Sequence, residues 1–307
     1  MSPRSEESGS AAVMKAVVIG DRDRWVKLVM FVCASLSFFA ILLIFLFIFR
    51  ESWPAISKFG IHDLFLSTKW APNPGNPEAG SYGMLAFTWG TLLTTVFAMI
   101  LAAPLGIGAA VFIDQVAPDS MAKVVRRGIE LLAGIPSVVI GWFALTMLVP
   151  LISRATGSAG YGILAASLVL VVMSLPTITT LSAETLRAVP KELKEASVAM
   201  GATRWHTIYK VLLPSAREGL IIATILGMGR AIGETMAVQM VIGNARGFAL
   251  SPFQRTSTLT TRIVTDMGEA TGLYRSALFA QALMLLLLAV VLIVCIKLIS
   301  RRRGAAV

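Results

Sequence analysis

Charged side chains are scarce in this chain of 307 residues: they make up 14% of the sequence, whereas 56% of the residues are hydrophobic. Soluble globular domains carry about 25% charged residues. The mean hydropathy is correspondingly high, at +0.78. A chain with so few charges cannot give a folded domain of this size an ordinary water-facing surface. The composition therefore excludes a soluble globular protein and predicts a membrane protein.

Cysteine and histidine are also rare, with two of each. Cys33 and Cys295 lie within apolar runs, and His62 and His206 are far apart without any metal-ligand spacing around them. We therefore expect no disulfide, no metal site and no cofactor bound by this chain. The phosphate loop G-x-x-x-x-G-K-[ST] is missing from the sequence as well, which argues against ATP hydrolysis by this polypeptide.

Long apolar runs dominate what is present, and each can supply the roughly 20 apolar residues that a helix needs to cross a bilayer. The six runs are 28–49, 84–113, 131–153, 155–183, 219–242 and 276–296. None has the ten-residue alternation of transmembrane barrel strands. The predicted fold class is therefore all-α, a polytopic membrane protein with six transmembrane helices.

Lysine and arginine are concentrated before the first run, between the second and third, between the fourth and fifth, and after the last. This bias predicts that both termini are cytoplasmic. It also accounts for the net charge of +10, so no nucleic-acid partner is inferred. The predicted organisation is a partly disordered cytoplasmic tail (1–26), a transmembrane domain (27–300) with an outer loop (50–83) and a cytoplasmic loop (184–218), and a basic cytoplasmic tail (301–307).

The outer loop 50–83 is rich in proline, glycine and asparagine, which favours turns and irregular coil. Its aromatic residues suit a membrane–water boundary: Trp53, Trp70 and Tyr82. Within the apolar runs, prolines are expected to break or kink the helices, because proline lacks a backbone donor. These prolines are Pro104, Pro136 and Pro176.

Two opposite charges, Arg230 and Glu234, interrupt the fifth run near its middle. Their spacing predicts that they share one helix face. An arginine at the bilayer centre costs roughly 2.5–3.5 kcal/mol on insertion scales, so it must face protein or water. Either the two charges neutralise each other or a neighbouring helix, or they line a solute pathway, where a guanidinium suits an oxyanion.

The cytoplasmic loop 184–218 is predicted to hold two short helices. The first covers 191–200, after Pro190, and ends at Gly201 in the left-handed conformation. The second covers 203–213 and ends at Pro214. By composition alone, this segment could equally be an amphipathic linker at the membrane surface.

The spacing in this loop is more specific than its composition. Glu195-Ala196-Ser197, three residues, Gly201, nine residues, Val211, one residue and Leu213-Pro214 resemble the E-A-A-x3-G-x9-I-x-L-P loop of bacterial ABC importer permeases. Ser197 replaces the second alanine and Val211 replaces isoleucine. The resemblance implies the type I importer fold, with this loop as the coupling helix that docks in a groove of an ATPase subunit. The implied coupling residues are Glu195, Ala196, Ser197, Gly201, Val211, Leu213 and Pro214.

Three further stretches resemble the phosphate-specific permeases of the same family: "GMGRAIGETMAVQMVIGN" (227–244), "SWPAISKFG" (52–60) and "ELLAGIPSVVIG" (130–141). The likeness runs from about residue 25 to the C-terminus. It implies that Arg230 and Glu234 lie in the path of inorganic phosphate across a bacterial inner membrane. The implied partners are membrane lipid, a homologous permease subunit, a dimer of ATPase subunits carrying ATP and Mg²⁺, and an extracytoplasmic phosphate-binding protein.

Other functions stay open at this point. The chain could be a permease for another oxyanion such as molybdate or sulfate, an ion-coupled secondary transporter, or a structural or signalling scaffold. The last outer loop carries three arginines against the inside bias: Arg246, Arg255 and Arg262. They could form an anion-handling surface or belong to a solvated loop near a docking site for the binding protein.

Overall fold

The computed structural model describes the backbone of residues 4–73 and 75–304, and the side chains of 24–73 and 75–298. Residues 1–3 and 305–307 of the two predicted tails lie outside these ranges. The helices are α1 Arg4–Phe65, α2 Leu85–Val111, α3 Asp119–Gly134, α4 Ser137–Phe143, α5 Val149–Thr156, α6 Ile163–Ala188, α7 Lys191–Ala199, α8 Arg204–Thr207, α9 Leu213–Ser215, α10 Arg217–Gly233, α11 Met236–Val241, α12 Leu259–Asp266 and α13 Gly272–Gly304. Wider π-helical turns follow α2, α4 and α8 at Phe112–Val116, Ala144–Leu148 and Ile208–Leu212. A short 3-10 turn, Pro77–Ala79, lies between two paired antiparallel strands, β1 Trp70–Ala71 and β2 Ser81–Tyr82.

Five helical segments are long and apolar enough to cross a membrane: Arg24–Phe65, Leu85–Val116, Ser137–Thr156, Ile163–Ala188 and Gly272–Leu298. A sixth candidate is the pair Arg204–Ser215 and Arg217–Gly233, bent by 70° at a short break. The described part of the chain therefore has five to six candidate spans, and its sheet consists of two strands of two residues each. These findings confirm the predicted all-α polytopic fold class.

The chain forms two compact units, Met1–Glu51 and Ser52–Val307. In its described residues, 4–51, the first is a single stretch of helix whose apolar side chains between residues 28 and 49 are almost all exposed; Phe31, for example, is 70% exposed. Such a surface suits lipid. Residues 52–65 of α1 belong to the second unit. They are helical beyond Pro54 as far as Phe65 apart from a kink at Gly60, where the backbone is not helical (φ 78°, ψ 160°). The prediction of turns and coil was therefore wrong for residues 50–65 except at this kink.

The prolines of the apolar runs act differently from one another. α2 and α6 continue without interruption through Pro104 and Pro176, so the breaks predicted there were wrong. Pro136 does divide its run: α3 ends at Gly134, Ile135 and Pro136 are extended, and α4 starts at Ser137. A proline at the start of a helix loses no intrahelical hydrogen bond, which makes this position favourable.

Helix α6 lies at the centre of the second unit, because 67% of its most apolar 18-residue stretch is buried. It packs against both α2 and α10. Gly106 of α2 and Gly227 of α10 both abut the side chain of Ile178, which lies on α6, so that a Cβ at either glycine would collide with it. Small residues at these two positions therefore let three helices meet closely.

A second core lies where α2 begins, around the hairpin. Trp70 and Tyr82 are 5% and 2% exposed, and their ring centroids are 5.6 Å apart. Trp70 also contacts the Phe87 ring, and Tyr82 contacts the Tyr274 ring. Both rings are therefore buried among other aromatic rings of the protein, and their place at a membrane–water boundary stays a prediction.

Candidate functional site

The two charges of the fifth apolar run are separated by the end of a helix, with Arg230 in the last turn of α10 and Glu234 at the break that follows. α10 ends at Gly233, Glu234 is extended (φ −70°, ψ 122°), and α11 begins at Met236. The Glu234 carboxylate accepts a hydrogen bond from the backbone N–H of Ala237 at 3.3 Å. Local bonds from a side chain to the backbone compete with the helical ladder and can start a new helix. The prediction that Arg230 and Glu234 share one helix face was therefore wrong.

Arg230 lies on the bare face of α10. A Cβ added at Gly227 would collide with Ile178, whereas at Gly229 and Gly233 it would meet no atom within 4 Å. Arg230 itself is exposed. Within the described part of the chain it makes no ion pair or hydrogen bond, so Glu234 does not neutralise it here.

An exposed arginine close to the middle of an apolar segment has a clear physical consequence. Facing lipid would cost several kcal/mol, so the bare face of α10 must be covered by another protein surface or by water. The planar guanidinium offers five N–H donors in a fixed fork, which can bind two oxygens of a tetrahedral oxyanion at once. The open glycines beside it leave room for such a ligand.

The loop between α6 and α10 contains the predicted coupling helix. α7 covers Lys191–Ala199 after Pro190, and Gly201 follows with φ +82°. The Gly201 N–H donates to the carbonyl of Val198 at 2.9 Å. The predicted helix and its left-handed glycine are confirmed. The second helix, however, continues through Pro214, which lies in the first turn of α9. The chain turns only at Ala216, so the predicted end at Pro214 was wrong.

The implied coupling residues gather around an open cleft of about 590 Å³ on α7 and α8. Ala196, Ser197, Gly201 and Val211 line it, together with Leu193, Met200, Ala202, Thr203 and His206. Glu195 and Pro214 are exposed nearby, and Leu213 packs against the apolar core beneath. No residue of α7 is buried, and Met200 is 88% exposed. An apolar cleft left open in this way is typical of a protein docking surface.

Arg262 lies near the end of α2 that is remote from this cleft. Both interpretations offered by the sequence, an anion-handling surface and a solvated loop, were wrong for this residue. It is 2% exposed, and its guanidinium pairs with Asp266 at 3.3 Å and donates to the carbonyl of Asn244 at 3.1 Å. Trp70 donates its indole N–H to the same Asp266 carboxylate at 3.0 Å. Burial lowers the pKa of the Arg262 guanidinium, and the Asp266 charge opposes that shift.

Of the three outer-loop arginines, only two can belong to an anion-handling or solvated surface. Arg246 and Arg255 are exposed, and Arg255 lies over the Tyr161 ring at 5.3 Å. Arg262 instead stabilises the interior of this end. The signal available in the sequence was the spacing of Arg262 and Asp266, which are four residues apart and therefore adjacent on a helix.

Comparison with known proteins agrees with this geometry. Residues 102–304 match the family model described as "Binding-protein-dependent transport system inner membrane component". The chain is 45% identical over 244 residues to the probable ABC transporter permease protein YqgH of Bacillus subtilis, covering 78% of each. It is 35% identical over 259 residues to the phosphate transport system permease protein PstC of Mesorhizobium japonicum, covering 78% of this chain and 77% of that one.

Among solved structures, a chain of the methionine ABC transporter MetNI in an inward-facing conformation matches with a TM-score of 0.52 and 24% identity. The match covers 71% of this chain and 93% of the MetNI chain, and it supports the importer permease fold. The family match includes both the loop with the open cleft and the segment that carries Arg230. The chain therefore belongs to the family of binding-protein-dependent transport system inner membrane components.

Proposed function

We propose that this chain is the permease subunit of an ABC importer that moves inorganic phosphate into the cytoplasm. The observation that carries the proposal is Arg230, an exposed cation on the bare, glycine-flanked face of α10. Relatives that are 31–36% identical over most of the chain, and are named phosphate transport system permeases, support phosphate as the solute. This subunit performs no chemistry itself.

The partners follow from the uncovered surfaces. A homologous permease subunit covers the bare face of α10 and completes the path. A dimer of ATPase subunits, which bind ATP and Mg²⁺, docks at the cleft formed by α7 and α8. An extracytoplasmic phosphate-binding protein delivers the solute at the other end of the bundle. Both termini are then cytoplasmic, as the distribution of lysine and arginine favours.

In this mechanism, Arg230 binds phosphate transiently through charge-assisted hydrogen bonds. Glu234 follows four residues later in the chain, beyond the end of α10, and its carboxylate holds the start of α11 through the Ala237 N–H. A path that bound the anion too tightly could not release it. Hence we assign Glu234 two roles, limiting the residence of phosphate and fixing the helix break beside Arg230.

The test is uptake of labelled phosphate into vesicles that contain the purified complex, with ATP inside and the binding protein outside. Wild-type uptake is expected to require the ATPase subunits and to persist in excess sulfate or molybdate. Uptake without the ATPase would indicate an ion-coupled transporter. Blockage by sulfate or molybdate would indicate another oxyanion.

The decisive variant is Arg230→Gln, which removes the charge and keeps a polar side chain. We expect phosphate uptake to be lost while the complex still assembles, because Arg230 has no partner to lose in the described chain. Arg154→Gln is the matched control, since Arg154 is an exposed arginine in the last turn of α5. Normal uptake by Arg230→Gln would remove this residue from the mechanism.

A further inference from the structure

The turn that follows α2 is a meeting point for three basic side chains from the loop 184–218. Arg187, at the end of α6, donates to the Asp114 carboxylate at 2.7 Å. Lys194 of α7 donates to the side-chain oxygen of Gln115 at 2.9 Å, and Arg204 of α8 donates to the Gln115 carbonyl at 3.4 Å. Asp114 and Gln115 together therefore contact α6, α7 and α8.

Asp114 and Gln115 also form a hydrogen bond with each other. The Gln115 amide donates to the second Asp114 oxygen at 2.6 Å, so the amide oxygen of Gln115 is turned toward Lys194. The Asp114 side chain is only 10% exposed, whereas that of Arg187 is 47% exposed. A largely buried carboxylate that accepts charge-assisted bonds holds a defined geometry better than a fully solvated ion pair.

Helix α7 is attached to other elements by few side-chain bonds in the described chain, and one of them is to this turn. The helix buries no residue. Among the described side chains, its hydrogen bonds to other elements join Lys194 to Gln115, and Ser197 to Thr207 at 3.0 Å. By contrast, the segment after α8 is packed into an apolar cluster with the ends of α2 and α6, formed by Ala110, Val111, Ala183, Leu186, Ile208, Leu212, Ala216 and Leu220.

A series of packing contacts links α2, which precedes Asp114 and Gln115, to the part of α10 that carries Arg230. α2 is continuous from Leu85 to Val111, so its unbroken backbone offers a path for a displacement at its last turn to reach the rest of the helix. α2 touches α6 through Gly106 and Ile178, and the same Ile178 side chain abuts Gly227 of α10, one turn before Arg230. Closely packed side chains transmit small shifts because they have little free volume.

We propose that Asp114 and Gln115 are positioning residues that join the coupling helix α7 to the helix bundle, so that movement of α7 on the ATPase is passed to α2. The inference rests on the proposed function, because it assumes an ATPase docked at α7. Neither residue belongs to the loop that identifies the family, and neither touches the solute. Their role is to keep ATP hydrolysis and transport in step.

The first experiment compares phosphate transported per ATP hydrolysed in vesicles that contain the complex. Gln115→Ala should lower this ratio about five-fold or more, a typical size for the loss of a coupling interaction. ATP hydrolysis and co-purification of the ATPase should stay near wild type. Arg127→Gln, which removes an exposed charge of α3 at the same end, is the matched control and should keep the wild-type ratio.

Two outcomes would overturn the proposal. One is an unchanged ratio in Gln115→Ala. The other is loss of the assembled complex in both Gln115→Ala and Lys194→Met, which remove the same bond from opposite sides, because the contact would then be only structural. Wild-type vesicles that hydrolyse ATP but take up no phosphate would instead contradict the proposed function. The two failures are therefore distinguishable.

A cross-link tests whether α7 and α2 must stay joined. In a variant with Cys33→Ser and Cys295→Ser, we combine Gln115→Cys with Lys194→Cys and join the two thiols with a short bifunctional reagent. The unlinked protein should be uncoupled, and linking should restore the ratio of phosphate to ATP. A linked protein that stays uncoupled or stops transporting would show that α7 must separate from α2 during the cycle, which contradicts the proposed joint.

Discussion

The two ends of the helix bundle hold their charges in opposite ways. At the hairpin end, Arg262 and Asp266 are 3% and 4% exposed in their side chains, and aromatic rings surround them. At the other end, Arg187 pairs with Asp114 while remaining half exposed, and α7 buries nothing. At each end, one carboxylate accepts hydrogen bonds from several donors, but only the hairpin end is buried from solvent.

This difference indicates which end is built to move against a partner. A buried ion pair is expensive to break because removing one charge leaves the other unpaired in a dry environment. A partly solvated pair such as Arg187–Asp114 contributes less to stability and costs less to strain. The hairpin end is therefore expected to stay rigid, whereas α7 can move with a docked subunit and, through Gln115, carry the end of α2 with it.

The largest expected effect comes from Asp266→Ala. It leaves the Arg262 charge and the Trp70 indole N–H without their acceptor, which should lower the free energy of unfolding by about 3–5 kcal/mol. Asp114→Asn at the other end should cost about 1 kcal/mol or less, as for a partly exposed pair. Denaturation of the purified chain in detergent measures both.

The double variant Arg262→Met/Asp266→Leu is the control for that comparison. Because it removes both charges together, it should be considerably more stable than Asp266→Ala. Equal losses for Asp266→Ala and Asp114→Asn would show that the two ends do not differ in the way described.

An intermediate effect is expected for Met200→Asp. Met200 is 88% exposed at the cleft, so a carboxylate there should leave the fold intact but weaken binding of the ATPase subunit, by about 2 kcal/mol if Met200 is a hot spot. Leu250→Asp is the matched change at the hairpin end, where Leu250 is 83% exposed. Binding of the ATPase measured by co-purification should fall only for Met200→Asp, and equal losses would contradict docking at the cleft.

The smallest effects concern two glycines in the left-handed region. Gly201, in the loop between α6 and α10, has φ +82° and open space around it, so Gly201→Ala should cost about 1 kcal/mol through backbone strain alone. Gly243 has φ +88°, and a Cβ there would also press on the Arg255 side chain at 2.7 Å. Gly243→Ala should therefore lower the melting temperature more. The reverse order would mean that the hairpin end packs more loosely than described.

Sequence reasoning succeeded where a local pattern dictates the outcome. Apolar length predicted the spans, and Pro190 with Gly201 predicted both limits of α7. Sequence reasoning failed where contacts with other residues determine whether a helix breaks or continues. The break at Glu234 has no proline or glycine at its own position, and it depends on a side-chain bond to Ala237. Pro104 and Pro176, in contrast, stay helical inside the bundle.

The sequence by itself determined that this chain crosses a membrane several times, carries a loop whose residue spacing resembles that of ABC importer permeases and places an arginine within an apolar segment, because composition and spacing are local properties. Only the tertiary structure decided which face of α10 is bare, that Arg262 is buried, that Asp114 meets the end of α6 and that Gln115 meets α7. The last two contacts join residues 73 and 79 positions apart. Their partners are chosen by how the helices pack, and no local pattern specifies that.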